Sequence, residues 1–223
     1  MKRTKLSLRQ LPTYSSGEEA MNMITHIVGG GLSLLIFAVC LWKAILAGGV
    51  FHILCACLYG ISMVTLYTMS SLYHGLRPGT AKKVLQVLDH CTIYFLIGGT
   101  YTPILVLAMA PRYPWIGWGL LVVEWLLAAL AATLTAIDLK KYRVFSMICY
   151  IGMGWGIVFF LPKALEVMTQ SGFLLLLAGG IAYTIGAILF GLGKKIKWMH
   201  SIFHIFVILG SLFQALAVIL YVF

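Results

Sequence analysis

The sequence predicts an all-α, polytopic membrane protein with seven transmembrane helices, its N-terminus cytoplasmic and its C-terminus outside. Three observations carry this. Of 223 residues, 61% are hydrophobic and only 10% charged, with a mean hydropathy of +1.00, which is too apolar for a soluble domain of this size. Seven apolar runs are each long enough for a hydrocarbon core of ~30 Å; they fall at 24–47, 52–73, 84–109, 115–137, 144–161, 172–192 and 199–222. Strand-like alternation is absent, and a bilayer admits only structures that satisfy every backbone group internally, so helices are expected rather than a barrel.

Residues 1–23 are expected to form a cytoplasmic N-terminal arm, with Pro12 and Ser15-Ser16-Gly17 marking a loop that leads through Glu18 and Glu19 into a short interfacial helix. The first run is long enough to span and follows a polar, basic arm, so it reads as a retained helix and not a cleaved signal. Residues 24–223 form one seven-helix domain, because the connections are too short to hold a soluble one. Glycine pairs such as Gly98-Gly99 and Gly179-Gly180 suit close helix packing in lipid. No internal repeat is evident, which gives no support to a transporter of duplicated halves.

Orientation follows from the basic residues. Lys2, Arg3, Lys5 and Arg9 lie in the arm; Arg77, Lys82 and Lys83, then Lys140, Lys141 and Arg143, then Lys194, Lys195 and Lys197 mark the second, fourth and sixth connections. Only Lys43, Arg112 and Lys163 fall on the other side. By the positive-inside rule the arm side is cytoplasmic, opposite to a G-protein-coupled receptor. The net charge of +10 is thereby accounted for by topology and anionic lipid headgroups, with no nucleic-acid partner.

Five cysteines show no disulfide framework. Cys55 and Cys57 lie about 25 Å from His74 at the helical rise, and read as packing residues.

Against this background the ionisable residues inside the spans stand out, because such groups are costly in lipid and are kept mainly where they work. Ser70 and His74 arrive four apart at the cytoplasmic end of the second helix. Asp89 lies in the first turns of the third, and His200 and His204 lie four apart at the start of the seventh. Three imidazoles with an open position make the donor set of catalytic zinc. Zn2+ is preferred over iron or manganese by ligand type. Asp89 would hold and deprotonate the zinc-bound water, or orient a ligand, and Ser70 would bond that water or a substrate carbonyl. Each histidine alone could equally be interfacial; the three together with an acid, on one side, argue for a site.

Four stretches carry a family resemblance. Residues 19–26, with Glu19, Asn22, Thr25 and His26, match E-x-x-N-x-x-T-H. Ser70 to His74 match S-x3-H, Leu88-Asp89-His90 with Ile97-Gly98-Gly99-Thr100-Tyr101-Thr102-Pro103 match a third-helix pattern, and His200 to His204 match H-x3-H. Together they resemble the bacterial type of the hemolysin III family, within the progestin/adipoQ receptor (PAQR) superfamily, over nearly the whole chain. The resemblance implies a zinc site near the cytoplasmic leaflet, with His74, His200 and His204 as ligands and Asp89 and Ser70 near the metal-bound water. It also implies a multi-pass protein of the bacterial inner membrane, a role in membrane lipid or fluidity homeostasis with membrane lipid as substrate or ligand, and lipid amide hydrolysis as in related alkaline ceramidases.

Glu19, Asn22 and His26 share one face of the first helix and are expected to lock it to its neighbours rather than to touch substrate or metal. His90 points about 100° from Asp89 and reads as a packing residue. Gln214 stands where many bacterial relatives have histidine. Glu124, in mid-span, costs at least ~2.5 kcal/mol on insertion scales, so it is either protonated or paired with a neighbouring Tyr or Ser. Three functions stay open on these residues: a zinc-dependent hydrolase, a lipid sensor with structural zinc, and, weakest because the outer half has no polar stripe, a pore.

Overall fold

The computed structural model describes residues 4–223, so Lys2 and Arg3 lie outside the described residues. The fold is a helical bundle of α1 (Ser16–Ala47), α2 (Val50–Gly75), α3 (Thr80–Pro103), α4 (Pro114–Ile137), α5 (Arg143–Gly154), α6 (Leu161–Leu192) and α7 (Met199–Tyr221), with no strand among the described residues.

α1 begins at Ser16, eight residues before the apolar run, and continues without interruption into it. A capping box starts it: the Ser15 hydroxyl accepts from the Glu18 amide at 3.3 Å, while Glu18 accepts from the Ser15 amide at 2.9 Å. The early start is possible because the polar residues Glu18, Asn22, Thr25, His26 and Ser33 fall on one helical face and turn inward, with Ile24, Ile27, Val28 and Leu34 turned outward. The α1–α2 turn is only Gly48 and Gly49, at φ 75° and 86°, a left-handed pair that side chains with a Cβ adopt rarely.

α3 carries Pro103 near its end, and the next turn, Ile104–Met109, widens to a π-helix in which the Ala110 amide reaches Leu105 at 2.8 Å. The glycine pairs mediate contact as expected. A Cβ at Gly99 would sit 2.2 Å from the Ser62 hydroxyl of α2, and one at Gly179 3.0 Å from the Gly210 carbonyl of α7.

Among the described residues, six stretches are long and apolar enough to cross a membrane, because the runs expected at 144–161 and 172–192 fall within one 50-residue stretch, Arg143–Leu192. It is not a continuous helix. α5 has only 12 residues, a 3-10 turn follows at Gly156–Phe160, and α6 is broken at Thr169 (φ 62°). Gly152, Gly154 and Gly156 weaken the first half, and Pro162 restarts the helix at α6.

The basic segments meet at one end of the bundle. The Thr4 amide donates to Asp138 at 3.0 Å, Arg9 to the Ile137 carbonyl at 2.6 Å, and Lys83 to the Ser7 carbonyl at 2.7 Å. The Trp198 amide, ahead of α7, donates to Glu18 at 2.8 Å. At the opposite end Lys43 donates to the Ile219 carbonyl, and Tyr113 and Arg112 meet Glu166. Arg143–Leu192 therefore leaves the basic end, reaches the far end near Glu166 and returns.

Glu124 lies buried in α4 with Oε2 lacking any partner among the described residues, so the expected Tyr or Ser partner for that oxygen is absent. All five cysteines are free.

Hydrogen bonds from Thr4 and the Lys141 amide, with Arg9 nearby, hold the Asp138 carboxyl down at about 2. Its contribution is fully present above the ordinary value of ~3.9 and is lost as pH falls through about 2. Protection of the Thr4 amide from hydrogen exchange, taken relative to its intrinsic rate, should fall between pH 4 and pH 2, and Asp138→Asn should show the low protection already at neutral pH. Unchanged exchange in the variant would contradict this anchoring.

Candidate metal centre

At the basic end, α2 and α7 bring His74, His200 and His204 together, all buried, with one nitrogen from each within 4.8 Å of the others. His200 and His204 are one turn apart on α7, and His74 ends α2 opposite them. The His200 Nε2 lies 3.3 Å from the His74 Nε2 and 3.2 Å from the His204 Nε2.

The outer nitrogens fix the tautomers. The His74 Nδ1 lies 2.7 Å from Glu19 Oε2, whose other oxygen accepts from Lys82 at 2.6 Å. A carboxylate only accepts, so His74 donates from Nδ1 and keeps a lone pair on Nε2. The His204 Nδ1 likewise donates to the Asn22 carbonyl at 3.1 Å. The Asn22 side chain in turn accepts from Ser201 at 2.6 Å, tying α1 to α7.

These contacts decide what the cluster wants. Two of the three converging nitrogens are committed acceptors, and His200 can donate one proton to only one of them. One close Nε2 pair is therefore left with no proton between its lone pairs, in a buried setting where such a contact is costly. A cation among the three removes the conflict. Four-coordinate zinc with bonds of about 2.0–2.1 Å separates its ligand nitrogens by about 3.3–3.4 Å, close to the spacing found. The donor set fits zinc, and Glu19 and the Asn22 carbonyl stand where the orienting partners of ligand histidines stand.

Beside the cluster lies a cavity of about 160 Å³. Ser70, Asp89, His200 and His204 line its basic end, and Phe173 and Gln214 lie toward the other. Between them the walls are mostly apolar, from α3, α5, α6 and α7. Ile151 and Val158 line it and are also exposed.

His74, His200 and His204 come together. Asp89 and Ser70 face the same cavity, but no hydrogen bond joins either to the three imidazoles among the described residues. His90, read as packing, borders the cavity too, with Nδ1 donating to the Gln86 carbonyl at 2.8 Å. Glu19 and Asn22 do lock α1, and the groups they hold are the candidate ligands. His26 stacks on His204 at 3.7 Å. Sequence reasoning missed Tyr14, which stacks on His200 at 4.9 Å, and Lys82, counted only as a topology charge. No spacing signal marks Tyr14; a buried Lys82 one helix from Glu19 had the charge complement but no local motif.

Fold and site define an all-helical membrane protein with a buried three-imidazole cluster beside an apolar cavity. Comparison then places it: the Haemolysin-III related family matches residues 14–215, and the chain belongs to that family. It is 38% identical to Hemolysin-3 of Bacillus cereus over 205 residues, covering 92% of each chain. It is 35% identical to the Hemolysin-3 homolog of Bacillus subtilis (strain 168) over 204 residues, covering 92% of this chain and 94% of that one. Similarity extends to the human Monocyte to macrophage differentiation factor, 28% identical over 208 residues, covering 85% and 78%, as the superfamily resemblance of the motifs leads one to expect.

Glu19→Ala should free the outer nitrogen of His74 and leave Lys82 buried without its acceptor. Zinc affinity, measured by competition with a chelator, should fall about 10–100-fold. An unchanged affinity would show that Glu19 only packs.

Proposed function

We propose that this protein is a zinc-binding membrane hydrolase of lipid amides that acts in membrane lipid or fluidity homeostasis. It resides in the cytoplasmic (inner) membrane of a bacterium, crosses it seven times and has its N-terminus inside. The observation that carries the chemistry is the convergence of three imidazole nitrogens, with tautomers fixed, at the polar end of an apolar cavity. The topology is supported by the meeting of the basic segments at one end and by the out-and-back course of Arg143–Leu192.

His74, His200 and His204 would hold the metal, and zinc in such a set acts as a Lewis acid and makes water nucleophilic at neutral pH. The apolar walls around Ile97, Phe173 and Phe203 would seat the acyl chain and exclude bulk water. Ser70 would hold the amide carbonyl by its hydroxyl. Asp89 would take the proton from the attacking water and return it to the amine nitrogen as the C–N bond breaks, giving a fatty acid and an amine.

A second reading has its own support. Asp89 makes no bond to the cluster, while Glu19, Asn22 and Lys82 knit α1, α2, α3 and α7 around it. Zinc would then be structural, and lipid in the cavity would act as a signal.

One assay separates the two: fatty-acid release from an N-acyl sphingoid lipid in vesicles containing the zinc-loaded protein. The hydrolase reading expects turnover by the wild type, abolished in His204→Ala and reduced roughly 10²–10⁴-fold in Asp89→Asn with zinc retained. Turnover no greater than that of His204→Ala would leave the structural reading.

A further inference from the structure

We propose that the groove between α1 and α2 on the lipid-facing side binds one membrane lipid, with an acyl chain along Gly30 and Gly31 and its hydroxyl- or carbonyl-bearing end at His26. This groove and the cavity described above share His26 in their walls, and the reading of the groove makes no use of the metal.

The groove has a volume of about 510 Å³ and runs from Met23 and Gly75 at the basic end to Leu34 and Tyr67 deeper in the membrane. Met23 to Leu34 spans about 16 Å at the helical rise, close to one leaflet's share of the hydrocarbon core. Its floor is open because side chains are missing. A Cβ at Gly31 would meet nothing within 4 Å, and one at Gly30 would only touch Tyr67 at 3.8 Å. Ile27, Leu34 and Leu72 form its rim and are exposed, so an apolar chain entering from the bilayer meets matching walls.

The observation that points to a ligand is His26. It borders the groove, is 3% exposed, and has no hydrogen-bond partner for either ring nitrogen among the described residues. Lipid tails outside cannot satisfy an imidazole, and polar groups in the hydrocarbon region must find partners. Thr68 and Ser71 add hydroxyls to the groove. The groove is thus polar near its middle and apolar beyond, as a lipid is where its ester or hydroxyl region gives way to a chain. A helix of a second copy would offer only apolar side chains to His26 unless it brought a polar one, so lipid is the better match.

The test uses full-length protein in vesicles of phosphatidylethanolamine and phosphatidylglycerol, with a trace of phosphatidylglycerol carrying a diazirine in its acyl chain. After illumination, labelled peptides are mapped by mass spectrometry. Labelling of 23–34 and 68–76 should exceed that around Leu126, an exposed residue of α4. Gly30→Leu and Gly31→Leu fill the groove into open space and favour the helix, so both should fold. In them groove labelling should fall to the α4 level, with metal content unchanged. His26→Phe should keep the ring stacking and lower the labelling part of the way. The proposal is overturned if wild-type groove labelling only equals that of α4, or if both leucine variants label undiminished.

Discussion

The bundle is organised around three buried imidazoles whose close approach a bound cation would relieve. The His200 Nε2 sits 3.3 Å from that of His74 and 3.2 Å from that of His204, and the latter two are made acceptors by Glu19 and by the Asn22 carbonyl. The basic end follows from that demand. α1 turns its polar face inward to supply the outer partners, so it is inside-out relative to a helix of a soluble protein. Lys82 leaves solvent to hold Glu19 and also donates to the Leu76 carbonyl at 2.9 Å, closing the α2–α3 turn. Glu18 caps α1 and holds the backbone of Trp198, which is left-handed at φ 67° and starts α7 two residues before His200. One acidic pair on the first helix thereby sets the position of ligands on two others.

Burial makes these contacts matter. In water each would be worth little, since solvent competes for the same groups. Beside a lipid phase the alternative partner is absent, and loss of one member strands the next. The same argument applies to His26, which stacks on His204 but has neither ring nitrogen partnered among the described residues. It borders both the central cavity and the α1–α2 groove, so the two spaces share one wall.

Much of this was legible in the sequence, for identifiable reasons. Long apolar runs give helices because lipid leaves the backbone no other choice, and the distribution of Lys and Arg brings Ser70, His74, Asp89, His200 and His204 to one end. The spacing of four puts His200 and His204 on one face. What the sequence hid depends on non-local contact. The 3-10 turn at Gly156–Phe160 breaks the run expected as one helix at 144–161, whereas the break at Thr169 falls in the connection expected before 172–192. α1 starts early because its polar residues have partners 50 to 180 positions away, which a hydropathy window counts as loop. Tyr14 reaches His200 from a segment with no periodicity. Asp89 was expected near the metal-bound water; it lines the cavity with Ser70, with no hydrogen bond to the three imidazoles among the described residues.

The central claim is that this cluster holds zinc through three histidines, with Asp89 outside the ligand set. Metal content of freshly purified protein in detergent tests it most directly, with wild type measured beside His200→Ala and Asp89→Ala. The account expects about one zinc per chain in the wild type, loss in His200→Ala, and retention in Asp89→Ala. A folded wild type with no zinc, even after incubation with the metal, would contradict it and leave the three histidines as hydrogen-bonded ties between α2 and α7.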